Sequence, residues 1–379
     1  MVESLSSCQL RVRKQMPILN KSKIRPDVLK VMDERLKHQM MSISEFLQRE
    51  ENHGIDFPAI WRKVIDGNAL FFKNKGVNEA LSGLLTREEM IFLARLHRFT
   101  SDYMADIEQK KYAIPEDVKV KPIDAGGVRA EWQIVPGAIE DRVLLYLHGG
   151  GWILGSPNSH RLLTIALGQA TKMRVLSVDY RLAPEHPHPA PLEDCTSVYN
   201  WLLSTGIRPE NIIIAGDSAG GSLTLTTLIR LRDERIPLPG GAVGLSPSTD
   251  ITLSDDSYFE NGETDPILAD IGLFWWIIAY LAGTDPGDSL VSPLFADLKG
   301  LPPLLFQVST CEMLYCDSTR FVDKARDAGV DVTLETWDDM LHVFHGFGLH
   351  ELPEAKEAIA GIGDFVQNQL SKTGWIPSA

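Results

Sequence analysis

The chain has 379 residues, 44% apolar and 23% charged, enough for one large α/β domain with added elements or for two modest domains. Its formal net charge of −14 sets it against nucleic acid and anionic membrane, since both would repel it. The N-terminal MVESLSSCQLRVRKQM lacks the apolar core of a secretory signal, and the longest apolar run, IGLFWWIIAYLAG at 271–283, is too short to span a bilayer. Cys8, Cys195, Cys311 and Cys316 are too sparse for a disulfide framework, so free thiols and a cytoplasmic location are expected.

Residues 1–112 read as a helical region. RPDVLKVMDERLKHQM, FPAIWRKVIDGNALFF and LTREEMIFLARLHRFTSDYMADIE carry apolar residues at three- and four-residue spacing. After Pro115 the chain turns to short β-branched runs: VKVKPI, AEWQIV, RVLLYL, MRVLSVD, NIIIA, GAVGLS, PLLFQVS and VTLETW. From RVLLYL onward helical segments separate them, from HRLLTIALGQAT to KEAIAGIGDFVQNQL. This alternation predicts an α/β class over 113–379: a mostly parallel eight-stranded sheet flanked by helices, with the first two or three strands as an antiparallel edge. Residues 251–290 interrupt it as a helical insertion.

The corner between NIIIA and the next helix holds Gly216-Asp217-Ser218-Ala219-Gly220, a G-x-S-x-G in the strand-to-helix setting where that pattern marks a nucleophile elbow. Side chains at 216 and 220 would collide with strand and helix, and the helix start offers unpaired N–H groups. After RVLLYL comes His148-Gly149-Gly150-Gly151-Trp152. Three glycines let backbone N–H groups approach a ligand, and an HGGG-type loop can pair with the N–H of Ala219 as an oxyanion hole.

A serine needs a base, in this setting downstream of it. His342, His345 and His350 qualify, and His342 follows VTLETW directly. The acid is expected after PLLFQVS: Glu312 is preferred, while Asp317 falls in the first turn of the next helix, where a cap or dipole role suffices. The His342-x-x-His345 spacing brings no third ligand, so no metal is expected. The reaction so built needs no cofactor. Trp152 and Asp217 beside the two motifs, and Phe274 and Trp275 in the insertion, are candidates for substrate contact.

HGGGW at 148–152, DYRLAPE at 179–185 and GDSAG at 216–220 resemble the hormone-sensitive-lipase-like esterases, bacterial family IV of the α/β-hydrolase superfamily, over about residues 115–370. The resemblance implies an α/β-hydrolase catalytic domain over 113–379, with a cap formed by the insertion and part of the N-terminal region. It implies Ser218 as nucleophile, His342 as base and oxyanion donors at Gly150, Gly151 and Ala219, with Glu185 in a bracing role. The loop at Glu312 is similar to the family's acid loop, where Asp is commoner. VKPIDAGGVRAEW is similar to a subgroup that includes monoterpene lactone hydrolases.

The expected function is hydrolysis of short- to medium-chain carboxylic esters by a Ser-His-Glu triad through an acyl-enzyme, with kcat/KM rising through an apparent pKa of roughly 6 to 7. The expected partner is a small-molecule ester. Lactone hydrolysis and aryl-amide deacylation on the same triad are the alternatives, and a non-catalytic ligand receptor a remote one. The N-terminal helices have a second reading as a protein-interaction or homodimer element.

Overall fold

Eight strands form one sheet in the order β1-β2-β4-β3-β5-β6-β7-β8 in the computed structural model, which describes residues 20–269 and 272–372. The N-terminal stretch read above for a signal, with Cys8, lies outside the described residues. The strands are β1 (Lys119–Asp124), β2 (Arg129–Ile134), β3 (Ile139–Leu147), β4 (Met173–Val178), β5 (Ile212–Asp217), β6 (Gly241–Leu245), β7 (Leu304–Ser309) and β8 (Val332–Trp337). Strands β5, β6 and β7 are buried along their whole length, which explains why they read as unbroken apolar runs.

The antiparallel edge is two strands wide: β2 runs against both β1 and β4. The third strand, β3, sits inside the sheet, parallel to β4 on one side and β5 on the other. Along β3, Val143, Leu145 and Leu147 face one side and Leu144 and Tyr146 the other, following the two-residue period of a strand. Helices Arg161–Thr171 and Pro353–Ser371 cover the Leu144 face. Ala190–Ser204, Ala219–Asp233 and Tyr315–Asp327 cover the other.

Three long helices precede the sheet: α1 (Pro26–Leu47), α2 (Phe57–Asn74) and α3 (Arg87–Lys111). Thr86 and Glu89 close a reciprocal capping box that fixes the start of α3. Phe46, Val64 and Phe92 from these helices lie in the same apolar cluster as Phe274 and Trp275 of the insertion and Val143 of the sheet. The N-terminal helices and the sheet therefore share one core. Arg98 of α3 donates to both oxygens of Glu185 at 2.8 and 2.7 Å, to the Ile153 carbonyl at 2.7 Å and to the Ala183 carbonyl at 2.8 Å.

Strands β3 to β8 run parallel, so the loops after β3, β4, β5, β6, β7 and β8 leave from one edge of the sheet. HGGGW, DYRLAPE and GDSAG, with Glu312 and His342, all fall on that edge.

Gly67 in α2 packs against the insertion, and a Cβ there would lie 2.3 Å from Phe274 Cζ. Alanine adds about 1 kcal/mol of helix propensity over glycine. Forcing a methyl into a full core costs about 1–3 kcal/mol. Gly67→Ala is expected to lower the unfolding free energy by roughly 1 kcal/mol in urea denaturation, the net of those two effects; a more stable variant would contradict the packing.

Candidate active site

Ser218 follows β5 at φ +51° and ψ −118°, a conformation that a residue with a side chain adopts only under constraint. Its N–H donates to the Leu245 carbonyl at 2.8 Å, and its own carbonyl accepts from the N–H groups of Ser222 at 3.1 Å and Ser248 at 3.2 Å. The flanking glycines make the corner sterically feasible. A Cβ on Gly220 would lie 1.9 Å from the Leu147 carbonyl oxygen, and one on Gly216 would lie 2.3 Å from the Gly220 oxygen. Ala219 opens the next helix, where its N–H lies among the first four, which have no intrahelical acceptor.

The glycine loop after β3 lies beside this corner. Gly150 has φ +113° and Gly151 φ +58°, and a Cβ on Gly151 would lie 2.0 Å from Trp276 Cε3. Gly149 differs from its two neighbours. Its N–H donates to Asp217 Oδ1 at 2.9 Å, so it is already engaged and cannot also serve an oxyanion. The three-glycine expectation narrows to the amides of Gly150 and Gly151.

His342 and Glu312, from the loops after β8 and β7, meet at 2.8 Å between Nδ1 and Oε2, and both are buried. Oε1 of Glu312 accepts from the Ser309 N–H at 3.3 Å. The Val343 N–H donates to Ser246 Oγ at 3.4 Å. Leu245 and Ser246, consecutive at the end of β6, thus hold Ser218 from one side and the histidine loop from the other. Burial lowers the His342 pKa, but the hydrogen bond and charge of Glu312 outweigh it, leaving the imidazole above its ordinary value.

The rival residues have other partners. Asp317 is buried and accepts from the Tyr258 hydroxyl and from the N–H groups of Thr249 and Asp250. His345 turns its Nε2 to Gln307 Oε1 at 2.9 Å, and burial lowers its pKa to about 3, so it is a neutral core histidine. His350 stacks on Tyr112 with ring centroids 3.7 Å apart. Cys311 and Cys316 form no disulfide with each other.

An apolar cavity of about 40 Å³ opens on Ser218 and is lined by Gly151, Trp152, Ala219, Leu273, Trp276 and Ile277, among others. A larger cleft of about 1230 Å³ runs past the charged Asp102, Arg129 and Asp179, away from Ser218. Size favours the cleft, but chemistry favours the small cavity. Trp152 lines it, with its ring stacked 4.1 Å from that of Tyr280.

Phe274 and Trp275 do not line it. They are fully buried against the N-terminal helices, Phe274 by Gly67 and Trp275 by His97 at 5.8 Å between ring centroids. Leu273, Trp276 and Ile277 face the cavity instead, and their three-and-four spacing on helix Leu273–Leu281 was the signal available for separating the two faces. Asp217 is also turned away from the cavity, its carboxylate taken by Tyr146, Gly149 and His160. His160 belongs to none of the sequence motifs, and only the fold brings it to Asp217.

A family model described as the alpha/beta hydrolase fold matches residues 144–346. An acetyl-hydrolase of Streptomyces hygroscopicus is 43% identical over 246 residues, covering 65% of this chain and 81% of that protein. An esterase of Acinetobacter venetianus is 42% identical over 249 residues, covering 65% and 82%. The crystal structure of an esterase from the bacterial hormone-sensitive lipase family superposes with a TM-score of 0.70 at 38% identity, covering 82% of this chain and 98% of the other. The matched segment holds the serine corner, the glycine loop and the histidine loop described above, and with these likenesses the chain belongs to the α/β-hydrolase family, in its hormone-sensitive-lipase branch.

Proposed function

We propose that this chain hydrolyses short-chain carboxylic esters through an acyl-enzyme on Ser218, with His342 as general base and then acid, and Glu312 as the carboxylate that orients it. The observation that carries the reading is the buried 2.8 Å hydrogen bond between His342 and Glu312 on the sheet edge that also bears Ser218. Burying such a pair costs several kcal/mol of desolvation per ion, so stability alone is a weak reason for it. Holding an imidazole in one tautomer, with Nε2 as acceptor, is a stronger one.

Nε2 of His342 takes the Ser218 proton as Oγ attacks the ester carbonyl. The amides of Gly150, Gly151 and Ala219 receive the oxyanion. The imidazolium, stabilised by Glu312, then gives its proton to the leaving alcohol. Water, deprotonated by the same nitrogen, releases the acid and restores the hydroxyl. A folded Ser218→Ala protein is expected to lose fluorophosphonate labelling and ester turnover while keeping its melting temperature within a few degrees; wild-type turnover in that variant would refute the assignment.

The base must be neutral to accept a proton, so kcat/KM is expected to rise with pH through the His342 pKa. Glu312 sets that midpoint above the ordinary histidine value. Glu312→Gln removes the charge that raises it, so the midpoint should move to lower pH while kcat falls by on the order of 10³ to 10⁴. An unchanged profile would remove Glu312 from the triad.

The helix Leu273–Leu281 and neighbouring residues of the insertion form the cap over Ser218, and α2 and α3 stand one layer behind as its support. The 40 Å³ of open space holds about three water-sized groups, which suits an acetyl to butyryl chain. Trp276 packs over Gly151 and forms part of the cavity wall. Trp276→Ala is expected to raise kcat/KM for p-nitrophenyl octanoate relative to acetate by about tenfold or more. A chain-length profile that does not move would place the acyl group elsewhere. The same panel, extended to lactones and anilides, ranks esters against the two alternative substrate classes.

A further inference from the structure

The Asp217 carboxylate is buried next to the nucleophile and collects three donors from separate parts of the chain. The Tyr146 hydroxyl of β3 donates at 2.6 Å, the Gly149 N–H at 2.9 Å, and His160 Nε2 lies 3.4 Å from the second oxygen. His160 is held in turn by the Ser159 hydroxyl, 2.9 Å from its Nδ1. The Gly149 peptide is gripped at both ends. Its carbonyl accepts from Nδ1 of His148 at 2.8 Å, and that ring stacks on Tyr180, whose hydroxyl donates to the His148 carbonyl at 2.6 Å.

We propose that Asp217 and His160 are positioning residues for ester hydrolysis: the carboxylate, held by the His160 ring, fixes the Gly149 peptide and thereby aims the Gly150 and Gly151 amides at the oxyanion. The inference rests on the reading of Ser218 as nucleophile. Three features of the site support it. The amides to be aimed belong to two consecutive glycines at positive φ, the most mobile backbone available, and an oxyanion hole works only if it is rigid before charge develops.

Secondly, the anchor is the residue directly before the nucleophile, so serine and donors are referenced to one point. Finally, each group favours the charged form of the other. Burial opposes ionisation of Asp217, but the charge and hydrogen bond of His160 and the Tyr146 hydroxyl bring its pKa to about 2. Burial likewise lowers His160, and Asp217 more than reverses it. The neighbouring His148 is kept neutral, its pKa lowered to about 3, chiefly by burial. A buried ion pair is weak evidence for stability, because apolar residues of similar volume often serve as well. Orientation is what the charge supplies here.

The test compares Asp217→Asn and His160→Gln with the full-length wild type. It uses p-nitrophenyl acetate kinetics, thermal melting, and inhibition by an alkyl trifluoromethyl ketone whose hemiketal oxygen occupies the oxyanion position. Asparagine keeps an oxygen for Tyr146 and Gly149 but loses the charge. We expect kcat to fall roughly 10- to 100-fold with KM changed less than about threefold, and the ketone's inhibition constant to rise by about the same factor as kcat falls. His160→Gln should show a smaller loss with the same split. If either variant folds with a lowered melting temperature yet keeps kcat and ketone inhibition within about twofold of wild type, the pair is only structural and the proposal is overturned. Should Asp217→Asn fail to fold, His160→Gln decides alone. A wild-type protein inert to the acetate, the ketone and a fluorophosphonate would instead overturn the reading of Ser218 itself, and this proposal with it.

Discussion

The corner between β5 and the helix Ala219–Asp233 has no spare volume. The helix start lies so close to the end of β3 that a single carbon on Gly220 would overlap the Leu147 carbonyl, and Gly216 closes the same contact from the strand side. This closeness accompanies the positive φ of Ser218 at the strand-to-helix corner. It also brings the end of β3, and with it the glycine loop, against the first turn of the helix. Ser218 and the amides of the glycine loop are thus neighbours because two backbones touch, before any side chain is considered.

Around that contact the site is assembled in successive layers. Leu245 and Ser246 at the end of β6 hold the serine corner and the histidine loop. The insertion supplies an apolar wall with Trp276 packed over Gly151. The N-terminal helices fill the space behind that wall with Phe46, Val64 and Phe92, extending the domain core instead of forming their own.

Legibility of the sequence followed the locality of the constraint. All eight strands were readable because fully buried strands are apolar throughout and the alternation with helices is regular. Ser218, the glycine loop and the His342–Glu312 pairing were readable because a nucleophile corner and its partners occupy loops whose order along the chain follows from the topology. The orientation of side chains was not. Phe274 and Trp275 look as suitable for a pocket as Trp276 until the rotation of a nine-residue helix is known, and that is set by α2 some 200 residues away. Gly149 is indistinguishable in sequence from Gly150 and Gly151, yet one hydrogen bond to Asp217 gives it a different role. The antiparallel edge was read as two or three strands because no helix separates the first three, whereas β3 enters the sheet beyond β4.

The guanidinium of Arg98 ties α3 to Glu185 and to the carbonyls of Ile153 and Ala183, which flank the two loops bordering the site. The leading third of the polypeptide is therefore wired to the reaction centre by charge as well as by contact. Replacing the N-terminal helices with a foreign segment that merely filled the same hollow would remove the donor to one carboxylate and two carbonyls. Any chimera built on this scaffold must carry a cation at that point or redesign the loop that depends on it.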